Sequence, residues 1–178
     1  MVIYPKEEYG SVYQIPFDEY YKNGYRAIIF DIDNTLVPHG APADRKSIQL
    51  CERLKKMGFK ICFLSNNNKK RVEPFAKTMD AGYRCNAGKP FKKGYLEMAE
   101  NLQVEREKIL FIGDQLFTDI LGANRVGYYS ILVGRVNKKE SVLVVLKRIP
   151  ERISMYFYHR KHKRHGDNSE ERKEANAS

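Results

Sequence analysis

The sequence predicts an α/β fold, Rossmann-like and doubly wound, in which a mainly parallel sheet of five strands carries helices on both faces. Two observations lead there. Short apolar runs rich in β-formers recur along the chain, each stopped abruptly by polar residues or glycine. Between them lie longer stretches whose apolar residues repeat at helical spacing. Such alternation places crossover helices against a parallel sheet.

The elements follow in order from Arg26. Ala27-Ile28-Ile29-Phe30 reads as a buried first strand that reaches the edge of the sheet. Asp44 caps a helix carrying Ile48, Cys51, Leu54 and Met57, with Gly58 at its end. A second strand at 59–64 is stopped by Ser65-Asn66-Asn67-Asn68, and a helix then runs to about Met79. Residues 82–86 form a weak third strand. Pro90 opens a helix with Phe91, Tyr95, Met98 and Leu102 on one stripe. A fourth strand at 108–112 ends in Gly113-Asp114, a helix spans 118–125, and 128–133 is the fifth strand.

The flanks differ in character. Residues 1–25 carry Tyr4, Tyr9, Tyr13, Tyr20, Tyr21 and Tyr25 among turn signals at Pro5, Gly10 and Pro16. So aromatic a segment is expected to pack on the domain as an N-terminal extension, its tyrosines serving packing rather than ligand contact. The domain proper is assigned to 26–149, with a last helix at 142–146. Residues 150–178 are assigned as a basic amphipathic segment followed by a disordered polar tail.

A chain of 178 residues holds one domain with a sizeable core. Its net charge of +10 calls for an anionic partner: a phosphorylated metabolite, nucleic acid or an anionic lipid surface. Cys51, Cys62 and Cys85 fit no zinc spacing and read as reduced thiols in a cytosol-like compartment. The N-terminus lacks the pattern of a signal peptide, and no apolar run approaches the ~20 residues of a spanning helix. The expectation is a cytoplasmic protein, soluble or peripheral on the inner face of a membrane.

Chemistry gathers at the strand ends. Asp31 and Asp33 follow the first strand, Ser65 the second, Lys89 the third, and Asp114 and Asp119 the fourth. In a parallel sheet all of these converge on the edge where ligands bind. Asp31, Asp114 and Asp119 make an all-oxygen set suited to Mg²⁺. A carboxylate screened by metal and lysine can attack phosphorus, and a second acid two residues on can move the proton. Ser65 and the backbone N–H groups around Asn66 can hold phosphoryl oxygens, and Lys89 supplies further positive charge.

These motifs, Asp31-Ile32-Asp33-Asn34-Thr35, Ser65, Lys89 and Gly113-Asp114 with Asp119, resemble the four motifs of the haloacid dehalogenase (HAD) superfamily. The resemblance implies Asp31 as nucleophile and Asp33 as general acid/base. It also implies a Mg²⁺ held by Asp31, Asp114 and the main-chain carbonyl of Asp33, with Asp119 adjacent. An acid at Asp33 is the superfamily's phosphatase signature. Only one helix with its loop and strand separates Thr35 from Ser65, and one helix with a short segment separates Ser65 from Lys89. Neither gap holds a cap domain, so the site is expected to be open, as in the class III (IIIA) branch. Further runs, Ile28-Ile29-Phe30-Asp31-Ile32-Asp33-Asn34-Thr35-Leu36 and Asp114-Gln115-Leu116-Phe117-Thr118-Asp119-Ile120-Leu121-Gly122, resemble the YqeG branch, related to mitochondrial-type phosphatidylglycerophosphate phosphatases. That implies a lipid phosphomonoester presented at a membrane.

Other readings stay open. The substrate can instead be a soluble phosphorylated metabolite, with a lid supplied by an oligomeric neighbour; the oligomeric state is not legible. A third reading is a nucleic-acid or ribosome-associated binding protein on the same scaffold, but no recognised nucleic-acid module accompanies the basic patch. Residues 147–164 mix basic with apolar and aromatic side chains, which fits an anionic membrane surface and a solvated face about equally. His159, His162 and His165 sit among like charge and read as tail rather than metal site. Asn67 and Asn68 read as turn residues, and His39 as an exposed loop residue close to the site.

Overall fold

The structure is a computed structural model and describes residues 3–136. The helix read at 142–146, the basic segment 147–164 and the tail lie outside the described residues. The elements are β1 (Glu7–Tyr9), α1 (Phe17–Lys22), β2 (Ala27–Phe30), α2 (Arg45–Lys56), β3 (Lys60–Leu64), α3 (Lys69–Thr78), β4 (Gly82–Arg84), α4 (Lys92–Leu102), β5 (Ile109–Gly113), α5 (Leu121–Val126) and β6 (Tyr129–Val133).

The six strands pair in the order β1-β6-β5-β2-β3-β4, every pair parallel. Among the described residues one more strand is present than the five expected. The addition is β1, at the edge, where Glu7 pairs with Ile131 and Tyr9 with Val133. Its three residues, Glu-Glu-Tyr, carry no apolar run, so only the backbone pairing reveals it. The extension also contributes Val12, Ile15, Phe17 and Tyr20 to the core, none of them more than 6% exposed. The carboxylate of Glu7 accepts the hydroxyls of Tyr9, Tyr20 and Tyr129, which ties this segment to the start of β6.

Strand periodicity divides the core. In β2, Ile28 and Phe30 face one layer, packed with Leu50, Cys51 and Leu54 of α2 and Val72 and Phe75 of α3. Ala27 and Ile29 face the other, with Tyr95, Met98 and Leu102 of α4 and Ala123 and Val126 of α5. Buried on both faces, the central strands read as continuous apolar runs.

Two helix starts differ from expectation. Phe91 is not on the buried stripe of α4: it precedes the helix in extended backbone and is 71% exposed. The stripe begins at Tyr95. The predicted helix over 118–125 opens as a π-turn, Leu116–Ile120, before becoming α5. Asp44 does cap α2, in a reciprocal box with Ser47: Ser47 N donates to Asp44 Oδ1 at 2.8 Å, and Asp44 N to Ser47 Oγ at 3.1 Å. Cys51 and Cys62 are buried, Cys85 is half-buried, and all three are free. Among the described residues no helix is long and apolar enough to cross a membrane.

Candidate active site

The order in which strands are added to the sheet reverses at β2. The path β2-β3-β4 steps one way through the sheet and β5-β6 lies on the other side, so the C-terminal ends of β2 and β5 border a crevice. Asp31 leaves β2 at that crevice, its amide donating to Ile112 O at 2.9 Å. Asp114 leaves β5 beside it, and the π-turn that follows brings Asp119 back towards both. Gln115 N donates to Asp119 Oδ2 at 3.1 Å. Asp31, Asp114 and Asp119 thus each offer an oxygen within 4.8 Å of the others, and all three are buried.

Lys89 joins this cluster from the β4–α4 connection. Its Nζ lies 2.5 Å from Asp31 Oδ1 and 2.6 Å from Asp119 Oδ1, and the residue is only 8% exposed. The side chain of Asn66 fixes the backbone of Lys89: Lys89 N donates to Asn66 Oδ1 at 2.7 Å, and Asn66 Nδ2 to Lys89 O at 3.2 Å. The side-chain amide of Asn66 thus places Lys89, while the phosphate-cradle reading concerns the backbone N–H groups around Asn66. Ser65 is buried at the end of β3, where its Oγ accepts Asn67 N at 3.1 Å and keeps its own proton to donate. Thr35 reaches Asp31 Oδ2 at 3.5 Å.

Asp33 has a separate set of partners. Its Oδ1 accepts Gly40 N at 2.7 Å and Arg71 Nη2 at 2.8 Å, and its Oδ2 accepts Asn67 Nδ2 at 2.6 Å. His39, 74% exposed at its side chain, comes to 4.0 Å of Asp33 Oδ1. Asn67 is thus more than a turn residue, whereas Asn68 is the N-cap of α3, accepting Arg71 N at 3.1 Å. Sequence reasoning missed Arg71 and Arg135. Arg135 donates through Nε to Asp114 Oδ2 at 3.0 Å. Arg71 had one available signal: it sits three residues past a cap, on the helix that leaves a strand-end polar turn. Arg135 had none, because it follows β6 in a segment without periodicity.

The electrostatics follow from burial. Asp31 is pushed up to about 7 chiefly by loss of solvent, with Asp119 and Asp33 adding and Lys89 opposing. Burial, then Asp119 and Asp31, raises Asp114, against Arg135 and Lys89. Burial alone would lower Lys89, but Asp119 and Asp31 outweigh it and hold the ammonium well above its ordinary range. Lys89 and Arg135 thus bring two positive charges to a set of three buried carboxyl groups. A small divalent cation of the oxygen-preferring kind is compatible with that set.

Residues 43–127 match the family described as haloacid dehalogenase-like hydrolase, a span that holds Ser65, Lys89, Asp114 and Asp119. The chain is also 34% identical, over 149 residues, to a Bacillus subtilis (strain 168) protein named "Probable phosphatase YqeG"; that alignment takes in 83% of this chain and 87% of the relative. The chain belongs to the haloacid dehalogenase-like hydrolases. Solved structures agree in fold. A protein from Listeria monocytogenes serotype 4b superposes with a TM-score of 0.51 at 18% identity, covering 73% of this chain and 97% of the other. A Streptomyces avermitilis MA-4680 protein, described provisionally as a HAD family hydrolase, gives 0.53 at 14% identity over 62% of this chain and 72% of its own. The core sheet is parallel, and β2 to β4 are joined by single helices, with no cap evident among the described residues.

Proposed function

We propose that this haloacid dehalogenase-like hydrolase is a Mg²⁺-dependent phosphomonoesterase that works through an aspartyl-phosphate on Asp31. The observation that carries the reading is the Asp31–Lys89 pair, buried at 2.5 Å within a carboxylate triad whose converging oxygens suit a divalent cation. Asp31, Asp114 and Asp119 would hold Mg²⁺, which screens the approach of a phosphate dianion to an anionic nucleophile. A carboxylate oxygen of Asp31 attacks phosphorus while the bond to the leaving oxygen breaks. Asp33 delivers the proton that makes the leaving group an alcohol. Water then attacks phosphorus, Asp33 takes its proton, and inorganic phosphate departs with Asp31 regenerated. Ser65 and Lys89 hold phosphoryl oxygens throughout.

The substrate class we propose is a lipid phosphomonoester at an anionic membrane surface, phosphatidylglycerophosphate being the member that the family resemblance favours. Two features support it: the single-helix connections, which leave the crevice uncapped, and the net charge of +10. The test is a substrate panel of lipid phosphates in mixed micelles beside sugar and nucleotide phosphates, run on wild type and Asp31→Asn. Hydrolysis that survives Asp31→Asn or thorough chelation removes the mechanism. Faster turnover of the soluble phosphates removes the lipid assignment and leaves the mechanism standing.

A further inference from the structure

Arg71 touches the proton-transfer acid, yet the reaction as drawn gives it no work. It stands in the first turn of α3, where Asn68 caps its amide at 3.1 Å. Its guanidinium lies 5.5 Å from the centre of the Phe75 ring and is bonded through Nη2 (2.8 Å) and Nε (3.3 Å) to Asp33 Oδ1. The side chain is only 18% exposed, so this charge is held in place by packing.

Two cations therefore flank the reacting centre, and they divide it. Lys89 is bound to Asp31 and Asp119, on the side of the phosphoryl group that is transferred. Arg71 is bound to Asp33, on the side of the oxygen that departs. A proton donor must come within about 3 Å of that oxygen, which puts the guanidinium within roughly 6 Å of it. At that range a partly desolvated guanidinium gains nothing from a neutral alcohol. It gains a charge-assisted, forked pair from a carboxylate or a phosphodiester. Asp33 does not depend on Arg71 alone for its position, since Gly40 N and Asn67 Nδ2 hold its two oxygens at 2.7 and 2.6 Å. Arg71 spends Nε and Nη2 contacts on Asp33, and its remaining N–H groups can meet a substrate anion while Asp33 stays where it is.

We propose that Arg71 is a specificity-determining residue, selecting phosphomonoesters whose leaving alcohol carries a second anionic group a few atoms from the ester oxygen. This rests on the phosphatase reading above and narrows its substrate class.

The kinetic test compares phosphatidylglycerophosphate, whose leaving alcohol bears a phosphodiester, with phosphatidic acid, whose leaving alcohol is neutral, in mixed micelles. Wild type should favour the first by about tenfold or more in kcat/KM. Arg71→Ala should bring the ratio close to one, and Arg71→Lys, which keeps the charge without the fork, should retain part of it. A binding arm uses Asp31→Asn, with and without Arg71→Ala, titrated with 3-phosphoglycerate and with glycerol 3-phosphate. Tighter binding of the first, lost with Arg71→Ala, supports the proposal even if wild type hydrolyses no phosphomonoester, the outcome in which the phosphatase reading alone fails. Turnover without a preference, or a preference that survives Arg71→Ala while Arg71→Lys behaves as wild type, overturns the assignment.

Discussion

Gly113 and Asp119 share one volume. A Cβ built on Gly113 would lie 2.5 Å from both Cγ and Oδ2 of Asp119, far inside van der Waals contact. Glycine at the end of β5 is what lets the π-turn fold Asp119 back against the strand. Gly113→Ala is therefore expected to displace the Asp119 carboxylate by an ångström or so, with a loss of about 100-fold in kcat/KM. Weaker Mg²⁺ binding should accompany it, read as a higher metal concentration for half-maximal activity. Activity and metal response both near wild type would show that Asp119 has no fixed place in the site.

The acid cluster sets a direction for pH. Burial, then the neighbouring carboxylates, raises Asp31 to about 7 and raises Asp114 as well, whereas both ionise near 4 when unfolded. Between those values the folded state binds more protons than the unfolded state, so stability falls as pH rises through that window. In chelator, the melting temperature of wild type relative to Asp31→Asn should drop between about pH 4 and pH 7, and added Mg²⁺ should recover more at pH 7 than at pH 5. Thermal melts on the two proteins side by side measure this. A wild-type melting temperature that falls relative to Asp31→Asn as pH is lowered from about 7 to about 4 would contradict the burial argument.

Asn66 is a test of placement rather than of contact with phosphate. Its amide both accepts from Lys89 N (2.7 Å) and donates to Lys89 O (3.2 Å). Removing both bonds in Asn66→Ala should loosen the ammonium that bridges Asp31 and Asp119, lowering kcat by about tenfold. KM should change much less. A variant that loses only substrate affinity would show that the side chain acts on the substrate rather than on the placement of Lys89.

Phe17 measures what the N-terminal segment contributes. The ring is 1% exposed within the same core layer as Phe30 and Phe63. Phe17→Ala should cost about 3–5 kcal/mol, measured by urea unfolding. A cost below about 1 kcal/mol would mean that the core closes without it.

The sequence disclosed much of this because two physical signals were strong. Central strands buried on both faces must be apolar throughout, so β2, β3 and β5 stand out as runs. Acids stopping such runs at a shared sheet edge announced Asp31, Asp33 and Asp114. Where the signal lay in backbone pairing or in distant neighbours, little was legible. β1 consists of Glu-Glu-Tyr and is a strand only because β6 lies beside it. Arg71 and Arg135 look like ordinary surface arginines until Asp33 and Asp114 are seen next to them. Phe91 fell on the right helical period and still lies outside α4, because the helix begins one residue later.

The pairing of Glu7 with Ile131 joins residues at opposite ends of the described chain. Ribosomal synthesis runs from the N-terminus, so the first strand to emerge must wait until β6 has been made. Until then Val12, Ile15 and Phe17, buried in the finished protein, have only a partial core to cover them. Parallel pairing over such a separation carries a large loop-closure cost before any contact repays it. The fold is thus completed by its oldest segment, and a nascent chain arrested before residue 129 would present an open sheet edge beside β5.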